Sequence, residues 1–370
     1  MKDYHAGSIR FLEAAWDERR ALFSYSTSLV DGSYVQDFGH PATVRYTVNS
    51  LLGLQRAQLR DPRADPFLAA ADSLLDRFLS VHGPTLPNFG DTGLLTAALA
   101  TRGDSEGAKA QIDHLAELAA SGVEQHLVLQ ELAWGLWGLC AAARTETPGA
   151  EAEARALFAT LRRRFLDSDS LFARHNTNPL RRHVVSFGAT AYFLRALHEY
   201  AETFHDEYAD ALFRHGVERT LALQGPLGQW PWMIGVSSAQ AVDPYPVFSV
   251  HQDSMSMLFL LPAIDRGVEG VERAIDLSLS WLTGRNELGL SMIVPEPFFV
   301  FRSFERAARL QKPTRYARTV WHTLLRTSSG YLGPAGLRVN RECRSYQLGW
   351  VLFVWSGRTG GRVLGVRPAT

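Results

Sequence analysis

Helices of two kinds alternate along this sequence, and the alternation constrains the fold more than any other feature. One kind is apolar on every side, as in Asp91–Thr101 (DTGLLTAALAT) and Tyr346–Trp355 (YQLGWVLFVW). The other carries charges on one face, as in Pro66–Val81. A helix that is apolar all round must be surrounded by protein, whereas a half-polar helix can lie on the outside. The alternation therefore predicts an all-α chain with an inner and an outer layer of helices.

The predicted helices follow one another in pairs, an inner helix and then an outer one. After an amphipathic lead-in helix at 9–24, the sequence predicts helices at 44–59, 66–81, 91–101, 106–120, 123–143, 150–166, 186–201 and 206–223, then one that begins at His251, and others at 270–282, 298–310, 314–326 and 346–355. Six or seven pairs in one chain indicate two concentric rings, an (α/α)6-type toroid that forms a single domain over residues 1–370. The alternative is an open solenoid of helical hairpins. Such repeats usually keep a consensus and a regular period, and the sequence has neither.

Composition narrows the classes of partner. The 370 residues are 46% hydrophobic, which is enough for a large core. The formal net charge is zero, so binding to nucleic acid or to an anionic membrane is not expected. The chain has two cysteines, no signal-peptide core at its N-terminus and no apolar run of membrane-spanning length. We therefore expect a cytoplasmic protein whose partner is a small molecule or an oligosaccharide, with the oligomeric state left open.

Several chemistries lack their sequence motifs. The chain contains no P-loop, no strand–GxGxxG–helix segment, no His-Glu-x-x-His, no paired Cys-x-x-Cys and no Gly-x-Ser-x-Gly. We accordingly expect no cofactor. No metal site is predicted either, although scattered His and Asp residues could still converge on an ion.

Polar and aromatic residues collect where the loops lead into the inner helices. In a toroid these helices run parallel, so their N-termini, with free N–H groups and positive dipole ends, open at one mouth. Such a mouth suits anionic or oxygen-rich ligands. The residues predicted there are Asp37, His40, Arg45, Asp91, Gln130, Glu131, Trp134, His175, Arg182, His183, Ser186, Gln229, Trp230, Trp232, Tyr245, His251, Gln252, Asp253, Arg302, Arg344, Tyr346 and Gln347.

Asp91, Asp253 and His251 are the candidate catalytic residues in this set. Asp91 is explained equally well as a helix N-cap, since an Asp there accepts hydrogen bonds from the first turn. Asp253 lies in the first turn of its helix, where the dipole alone would favour a carboxylate. The adjacent His251, with Ser249 as a better N-cap, favours a catalytic role for Asp253. The two carboxylates would then act as an acid/base pair.

The other residues of the set are candidates for substrate binding, and several have structural alternatives. Glu131 lies within an apolar helix and needs a partner if buried, which a neighbouring arginine would supply. Arg182 and His183 could likewise pair with a carboxylate for structure alone.

The tryptophans divide into two kinds. Trp134 and Trp137 have helical spacing in an apolar helix, which fits a core position better than a ligand platform. Trp230 and Trp232 lie in a loop beside Gln229. Exposed or half-exposed aromatic rings in such a loop usually stack on a ligand, so we expect these two to do so.

The pattern of inner apolar and outer amphipathic helices resembles the α/α-toroid superfold over most of the chain. That group includes unsaturated glucuronyl hydrolases, N-acylglucosamine 2-epimerase-like isomerases and, more distantly, terpenoid-cyclase and prenyltransferase toroids. The resemblance is architectural, and fold alone does not give function. The segment Gly90-Asp91-Thr92-Gly93 matches the Asp-x-Gly element of the glucuronyl hydrolases only loosely.

The resemblance implies a carbohydrate-active enzyme, a hydrolase, lyase or epimerase that acts on an acidic or polyhydroxylated sugar by carboxylate acid/base chemistry. Tryptophans would stack on the sugar and arginine would hold a carboxylate. The alternative is an isoprenoid cyclase or prenyl-transfer enzyme with an aromatic-lined cavity and an arginine diphosphate site, although no Asp-Asp-x-x-Asp motif is present. A non-catalytic binding protein is a further alternative, disfavoured by the many titratable groups at one end.

Overall fold

A computed structural model describes residues 2–60, 65–120, 128–167, 170, 172–178, 182–307, 319, 321–323, 325–328 and 330–357. Helices dominate these ranges. They are α1 (Lys2–Ala15), α2 (Thr43–Arg60), α3 (Pro66–Ala69), α4 (Ala71–His82), α5 (Phe89–Thr101), α6 (Ser105–Ala120), α7 (Leu129–Arg144), α8 (Ala150–Arg164), α9 (Phe187–Phe204), α10 (Glu207–Leu221), α11 (Met257–Asp265), α12 (Val271–Leu282) and α13 (Ser345–Trp355). A π-helical turn, His251–Met255, precedes α11.

Six inner helices form a closed ring within the described part of the chain. In order around the ring they are α2, α5, α7, α9, α11 with its π-helical turn, and α13, which packs back against α2. Each has an outer helix against it: α4, α6, α8, α10, α12 and α1 respectively. The inner helices are buried on nearly every side, as the all-round apolar pattern predicts. The arrangement is an (α/α)6-type toroid, and the prediction of an all-α toroid is confirmed.

Glycines allow two pairs of inner helices to pack backbone against backbone. A Cβ atom on Gly53 of α2 would lie 2.0 Å from the carbonyl oxygen of Gly349 in α13. A Cβ atom on Gly138 of α7 would lie at the same distance from the carbonyl oxygen of Gly93 in α5. Real Cβ atoms do not come so close, so these contacts require glycine.

The core below the N-terminal ends of the inner helices is filled by aromatic rings. Trp137 of α7 and Trp350 of α13 stack with their ring centroids 5.4 Å apart. The Trp350 indole N–H donates a hydrogen bond of 2.8 Å to the Tyr192 hydroxyl on α9. We call this pair the tryptophan layer; both of its indoles are buried.

Thirteen short strands lie in the loops of the described residues. They are β1 (Trp16–Asp17), β2 (Leu22–Phe23), β3 (Ser26–Val30), β4 (Ser33–Asp37), β5 (Val184–Ser186), β6 (Met233–Gly235), β7 (Gln240–Asp243), β8 (Val247–Phe248), β9 (Ile293–Val294), β10 (Phe299–Val300), β11 (Ser303–Arg306), β12 (Leu337–Asn340) and β13 (Glu342–Cys343). They pair as β1–β2, β9–β10, β13–β3–β4, β5–β6–β7 and β12–β11–β8.

The three-stranded sheets surround the N-terminal end of the ring. β5 runs directly into α9, β8 precedes the π-helical turn, and β13 precedes α13. All of the pairings within these sheets are antiparallel. Because each sheet ties a loop that leads into an inner helix to neighbouring loops, the sheets fix the first turns of these helices relative to one another.

Two predicted helices differ from the structure. The predicted helix at 298–310 is wrong in its described part, where residues 299–300 form β10 and residues 303–306 form β11. Residues 308–310 lie outside the described ranges, as does most of the predicted helix at 314–326. A short buried apolar run such as PFFVF has no periodicity that separates strand from helix. The lead-in helix is α1, which ends at Ala15 rather than 24, because Trp16 and Asp17 pair with Leu22 and Phe23.

None of the described helices is both long and apolar enough to cross a bilayer.

Candidate active site

A cavity of about 220 Å³ opens at the N-terminal end of the inner ring. Its wall comes from the first turns of α2, α7, α9 and α13, the π-helical turn and three loop residues. The lining residues are Ala42, Arg45, Tyr46, Asn49, Gln130, Trp134, Ser186, Gly188, Tyr192, Trp232, Phe248, His251, Met255, Arg302 and Tyr346. Eight residues that the sequence predicts at the mouth are thus brought together: Arg45, Gln130, Trp134, Ser186, Trp232, His251, Arg302 and Tyr346.

Arg45 links the cavity to two carboxylates on the neighbouring inner helices. Its Nε atom lies 2.5 Å from Asp91 Oδ1, and its Nη2 atom lies 3.8 Å from Glu131 Oε1. The guanidinium carbon also lies 5.0 Å from the centre of the Trp134 ring. Burial raises the pKa of Asp91, the Arg45 charge opposes that rise, and Glu131 adds to it. The cluster therefore holds Arg45 rigidly at the cavity wall.

The first turn of α5 shows how the carboxylates are placed. Asn88 is the N-cap, and its side-chain oxygen accepts a hydrogen bond of 3.1 Å from the Asp91 backbone N–H. The Asn88 side-chain amide donates to Glu131 Oε1 at 2.9 Å. Asn88 is thus the N-cap of α5 in place of Asp91, and the Asp91 carboxylate forms an ion pair with Arg45.

His251 lies in the π-helical turn, between the rings of Phe187 and Phe248 at centroid distances of 4.7 and 5.1 Å. Burial lowers the pKa of His251 to about 3, so the imidazole is neutral at pH 7. The Nδ1 atom has no hydrogen-bond partner among the described residues. His251 therefore presents an unused polar atom in the cavity wall.

Three other lining residues also carry a buried polar atom with no partner among the described residues. They are Asn49 (Oδ1), Trp134 (Nε1) and Arg302 (Nε). An unsatisfied buried polar atom costs about 1–3 kcal/mol, so such atoms are few in folded proteins. Four residues of this kind around one cavity favour a polar ligand there.

Arg302 and Arg344 share one carboxylate at the edge of the cavity. Glu342 Oε2 lies 3.3 Å from Arg302 Nη1 and 2.6 Å from Arg344 Nη2. Arg344 also donates to the Tyr25 carbonyl oxygen and lies over the Tyr25 ring at 3.8 Å. Arg344 is therefore held outside the lining by Tyr25 and Glu342, whereas Arg302 lines the cavity.

The structure places Asp253 outside the cavity lining. Its carboxylate is 0% exposed and accepts hydrogen bonds from Tyr4 (2.7 Å), Gln347 (2.6 Å) and Ser254 (2.7 Å). Its backbone carbonyl accepts a hydrogen bond from the Trp355 indole at 2.8 Å. Asp253 thus joins α1 and α13 to the π-helical turn, an arrangement that favours a structural role.

Asp253 should make stability depend on pH. Burial raises the pKa of Asp253 to about 6, so the folded protein binds this proton more tightly than the unfolded chain does. The associated stability is present at low pH and is lost as pH rises through about 6. Asp253→Asn, which cannot ionise, should therefore gain about 2 kcal/mol relative to the wild type between pH 4 and pH 7. Urea unfolding of both proteins at the two pH values measures this; an unchanged difference would contradict it.

The segment Gly225–Asp265 contains the loop before the π-helical turn, the turn itself and α11. Four predicted residues of this segment stabilise the loop instead of lining the cavity. Trp230 is 0% exposed and donates to the Ser278 hydroxyl at 2.9 Å, so the expectation that its ring is accessible is wrong. Gln229 and Tyr245 both donate to Glu287, at 3.2 and 3.4 Å. The remaining residue, Gln252, donates to the Gly228 carbonyl and accepts from the Trp230 backbone N–H once its side-chain amide is turned over.

The remaining predicted residues lie around the mouth and outside the lining. His40 is exposed and stacks on Tyr25 at 3.8 Å. The His175 carbonyl accepts a hydrogen bond from the Leu129 N–H at the start of α7. Arg182 and His183 are exposed just before β5.

The sequence reasoning missed Tyr46, Asn49, Tyr192, Phe248 and Met255 as lining residues. Asn49 lies one turn after Arg45 on the same helix face, and it is a polar residue within an otherwise buried stretch of α2. This position, a polar residue one turn inside a buried helix, was the signal in the sequence that could have identified Asn49 as a lining residue.

Within the described ranges, no set of three or more His, Cys, Asp or Glu side chains is arranged to hold a metal ion.

Comparison with known proteins identifies the architecture. No family model matches the sequence, and no curated protein matches it either. Solved structures do match: the cellobiose 2-epimerase of Bacillus thermoamylovorans has a TM-score of 0.66 at 11% identity, over 95% of this chain and 96% of that chain. A sugar epimerase from a ruminal bacterium has a TM-score of 0.66 at 10% identity, over 96% and 97% of the two chains. An unsaturated glucuronyl hydrolase specific for heparin has a TM-score of 0.61 at 13% identity, over 95% of each. The chain therefore has the (α/α)6 toroid fold that these sugar epimerases and glucuronyl hydrolases share.

Proposed function

We propose that this protein is a carbohydrate-active enzyme that binds one unit of an acidic or polyhydroxylated sugar in the cavity. The observation that carries the proposal is the set of four lining residues, Asn49, Trp134, His251 and Arg302, whose buried polar atoms lack partners among the described residues. They offer both donors and acceptors, which is what several neighbouring hydroxyl groups require. The similarity to sugar epimerases and glucuronyl hydrolases supports the same class of ligand.

The size and the aromatic lining of the cavity agree with a sugar. Its volume of about 220 Å³ is below the roughly 300–1,000 Å³ of sites for drug-sized ligands. Trp134 and Trp232 present aromatic rings in the wall, and such rings pack against the apolar faces of sugars. A prenyl chain with a diphosphate needs a larger and more apolar space, so the cavity disfavours the isoprenoid alternative.

We assign proton transfer at a carbon next to a carbonyl, as in a sugar epimerisation, as the reaction. His251 is neutral at pH 7 and lines the cavity, so it can accept the proton. Its pKa of about 3 in the empty cavity would rise as negative charge develops on the adjacent substrate oxygen. Arg45 and Arg302 would stabilise that charge.

The second proton, which returns to the opposite face of the carbon, requires a neutral donor. Tyr46, Tyr192 and Tyr346 line the cavity, and burial raises the pKa of each hydroxyl, which keeps it protonated. Tyr192 already accepts a hydrogen bond from Trp350. We therefore favour Tyr46 or Tyr346 as the donor.

Glycoside hydrolysis is the second candidate, favoured by the carboxylates behind Arg45. Asp91 and Glu131 come from adjacent inner helices, and burial raises the pKa of Asp91, as a general acid requires. Arg45 must then release Asp91 when the substrate binds.

Thermal-shift screening followed by NMR tests both candidates. Uronic acids, neutral mono- and disaccharides and prenyl diphosphates are compared; a sugar at a hundredfold excess over its Kd should stabilise the protein by about 2.7 kcal/mol. A shift with prenyl diphosphates alone would overturn the proposal. With a binding sugar in D₂O, epimerisation places deuterium on the carbon next to the carbonyl, whereas hydrolysis releases a new reducing end without that exchange.

A further inference from the structure

A cluster of arginines lies beyond the tryptophan layer, on the far side from the cavity. Arg56 of α2 and Arg195 of α9 both lie against Phe353 of α13, with guanidinium carbons 5.7 and 5.2 Å from the ring centre. Arg195 also lies 5.1 Å from the Trp137 ring. The cluster and the cavity are therefore separate regions of the same ring.

One buried carboxylate serves two of the arginines. Glu199 of α9 bonds Arg195 and lies 2.6 Å from Arg144 Nη1 at the end of α7. Burial would raise the pKa of Glu199, but Arg195 and Arg144 outweigh it and lower that pKa to about 2. Glu199 is therefore ionised, and its charge is shared between two guanidinium groups.

Arg56 and Arg60 add two further positive charges. Neither forms a hydrogen bond or an ion pair among the described residues. They are one turn apart on α2, where like charges repel. Burial, with the charges of Arg195 and Arg60, lowers the pKa of Arg56 to about 10. Four guanidinium groups thus accompany one carboxylate in the described part of the cluster.

Helix dipoles explain only part of this cluster. Arg60 and Arg144 are the last residues of α2 and α7, where a cation favours the dipole. Arg56 lies a full turn before the end of α2, and Arg195 lies nine residues before Phe204, the end of α9. The dipole effect falls off within the last turn, so it does not account for Arg56 or Arg195.

We propose that the cluster of Arg56, Arg60, Arg144 and Arg195 binds a small oxyanion, a phosphate ion or a phosphate monoester. The planar guanidinium fork matches phosphate oxygens, and an anion would neutralise charges that otherwise repel one another. The site is distinct from the sugar cavity and does not depend on the function proposed for it.

The test is thermal unfolding at constant ionic strength, with chloride replaced stepwise by inorganic phosphate or by glycerol 1-phosphate. The melting temperature of the wild type should rise with at least one of them, and Arg56→Gln should weaken the apparent Kd at least about tenfold. A response to both anions identifies free phosphate as sufficient, and a response to glycerol 1-phosphate alone identifies a monoester. Arg302→Gln, which removes a guanidinium at the mouth, is the matched control and should keep the response.

Two outcomes would overturn the proposal. One is a wild type that responds to neither anion; the other is a response that Arg302→Gln abolishes and Arg56→Gln leaves intact. In chloride alone, Arg56→Gln should melt at the same temperature as the wild type or higher, because it relieves repulsion. A lower melting temperature together with an unchanged phosphate response would assign Arg56 to structure.

Discussion

His251→Asn should lower turnover at least about 100-fold while leaving the protein folded. The imidazole lines the cavity, is neutral at pH 7 and has an unpaired Nδ1 atom, so it is placed to accept a proton. Asparagine keeps a polar side chain of smaller size but has no basic nitrogen. Turnover of the sugar that binds best, measured beside the melting temperature, separates loss of chemistry from loss of structure.

His198→Asn is the matched control for this experiment. His198 lies on α9 against Phe213, and burial with the nearby Arg195 lowers the pKa of His198 to about 3, as burial does for His251. His198 does not line the cavity. Turnover should therefore survive His198→Asn. Equal losses in both variants, or near-normal turnover in His251→Asn, would remove His251 from the reaction.

Gly53→Ala should destabilise the protein by about 3 kcal/mol or more. The added Cβ would meet the Gly349 carbonyl oxygen at 2.0 Å, and backbone atoms cannot turn aside as a flexible side chain can. Relief requires α2 and α13 to separate, at a cost similar to that of overpacking a core. On helix propensity alone, alanine would stabilise α2 by about 1 kcal/mol, so the sign of the change decides which effect dominates.

Gly333→Ala is the control for this substitution. No atom lies within 4 Å of a Cβ at position 333, and the residue lies outside the ring. Its melting temperature should match that of the wild type, whereas Gly53→Ala should fall by several degrees. A Gly53→Ala protein as stable as the wild type would mean that the contact between α2 and α13 is looser than the structure indicates.

The ring architecture could be predicted because it follows from burial. Helices such as Phe89–Thr101 and Ser345–Trp355 have no polar face, so they can lie only inside a second layer. The strands of Phe299–Arg306 could not be predicted in the same way. The pairing of β11 with β8 and β12 is long-range, and a short apolar run is compatible with either secondary structure.

The site could be located from the sequence but its wall could not. The loops before inner helices indicate the correct end of the ring, and Arg45, His251 and Arg302 do line the cavity. Whether Asp253 faces the cavity or α1 depends on the rotation of the π-helical turn, which no local pattern encodes. Trp230 is buried because Ser278, far along the chain, accepts its hydrogen bond.

The tryptophan layer has a consequence for the shape of the substrate. Trp137 and Trp350 are stacked and buried between the inner helices beneath the cavity. A polymer therefore has no passage between these two buried rings through the centre of the inner helices. Under the function proposed above, the expected substrate is therefore a free sugar or the terminal unit of a chain, and its product leaves by the opening through which the substrate entered.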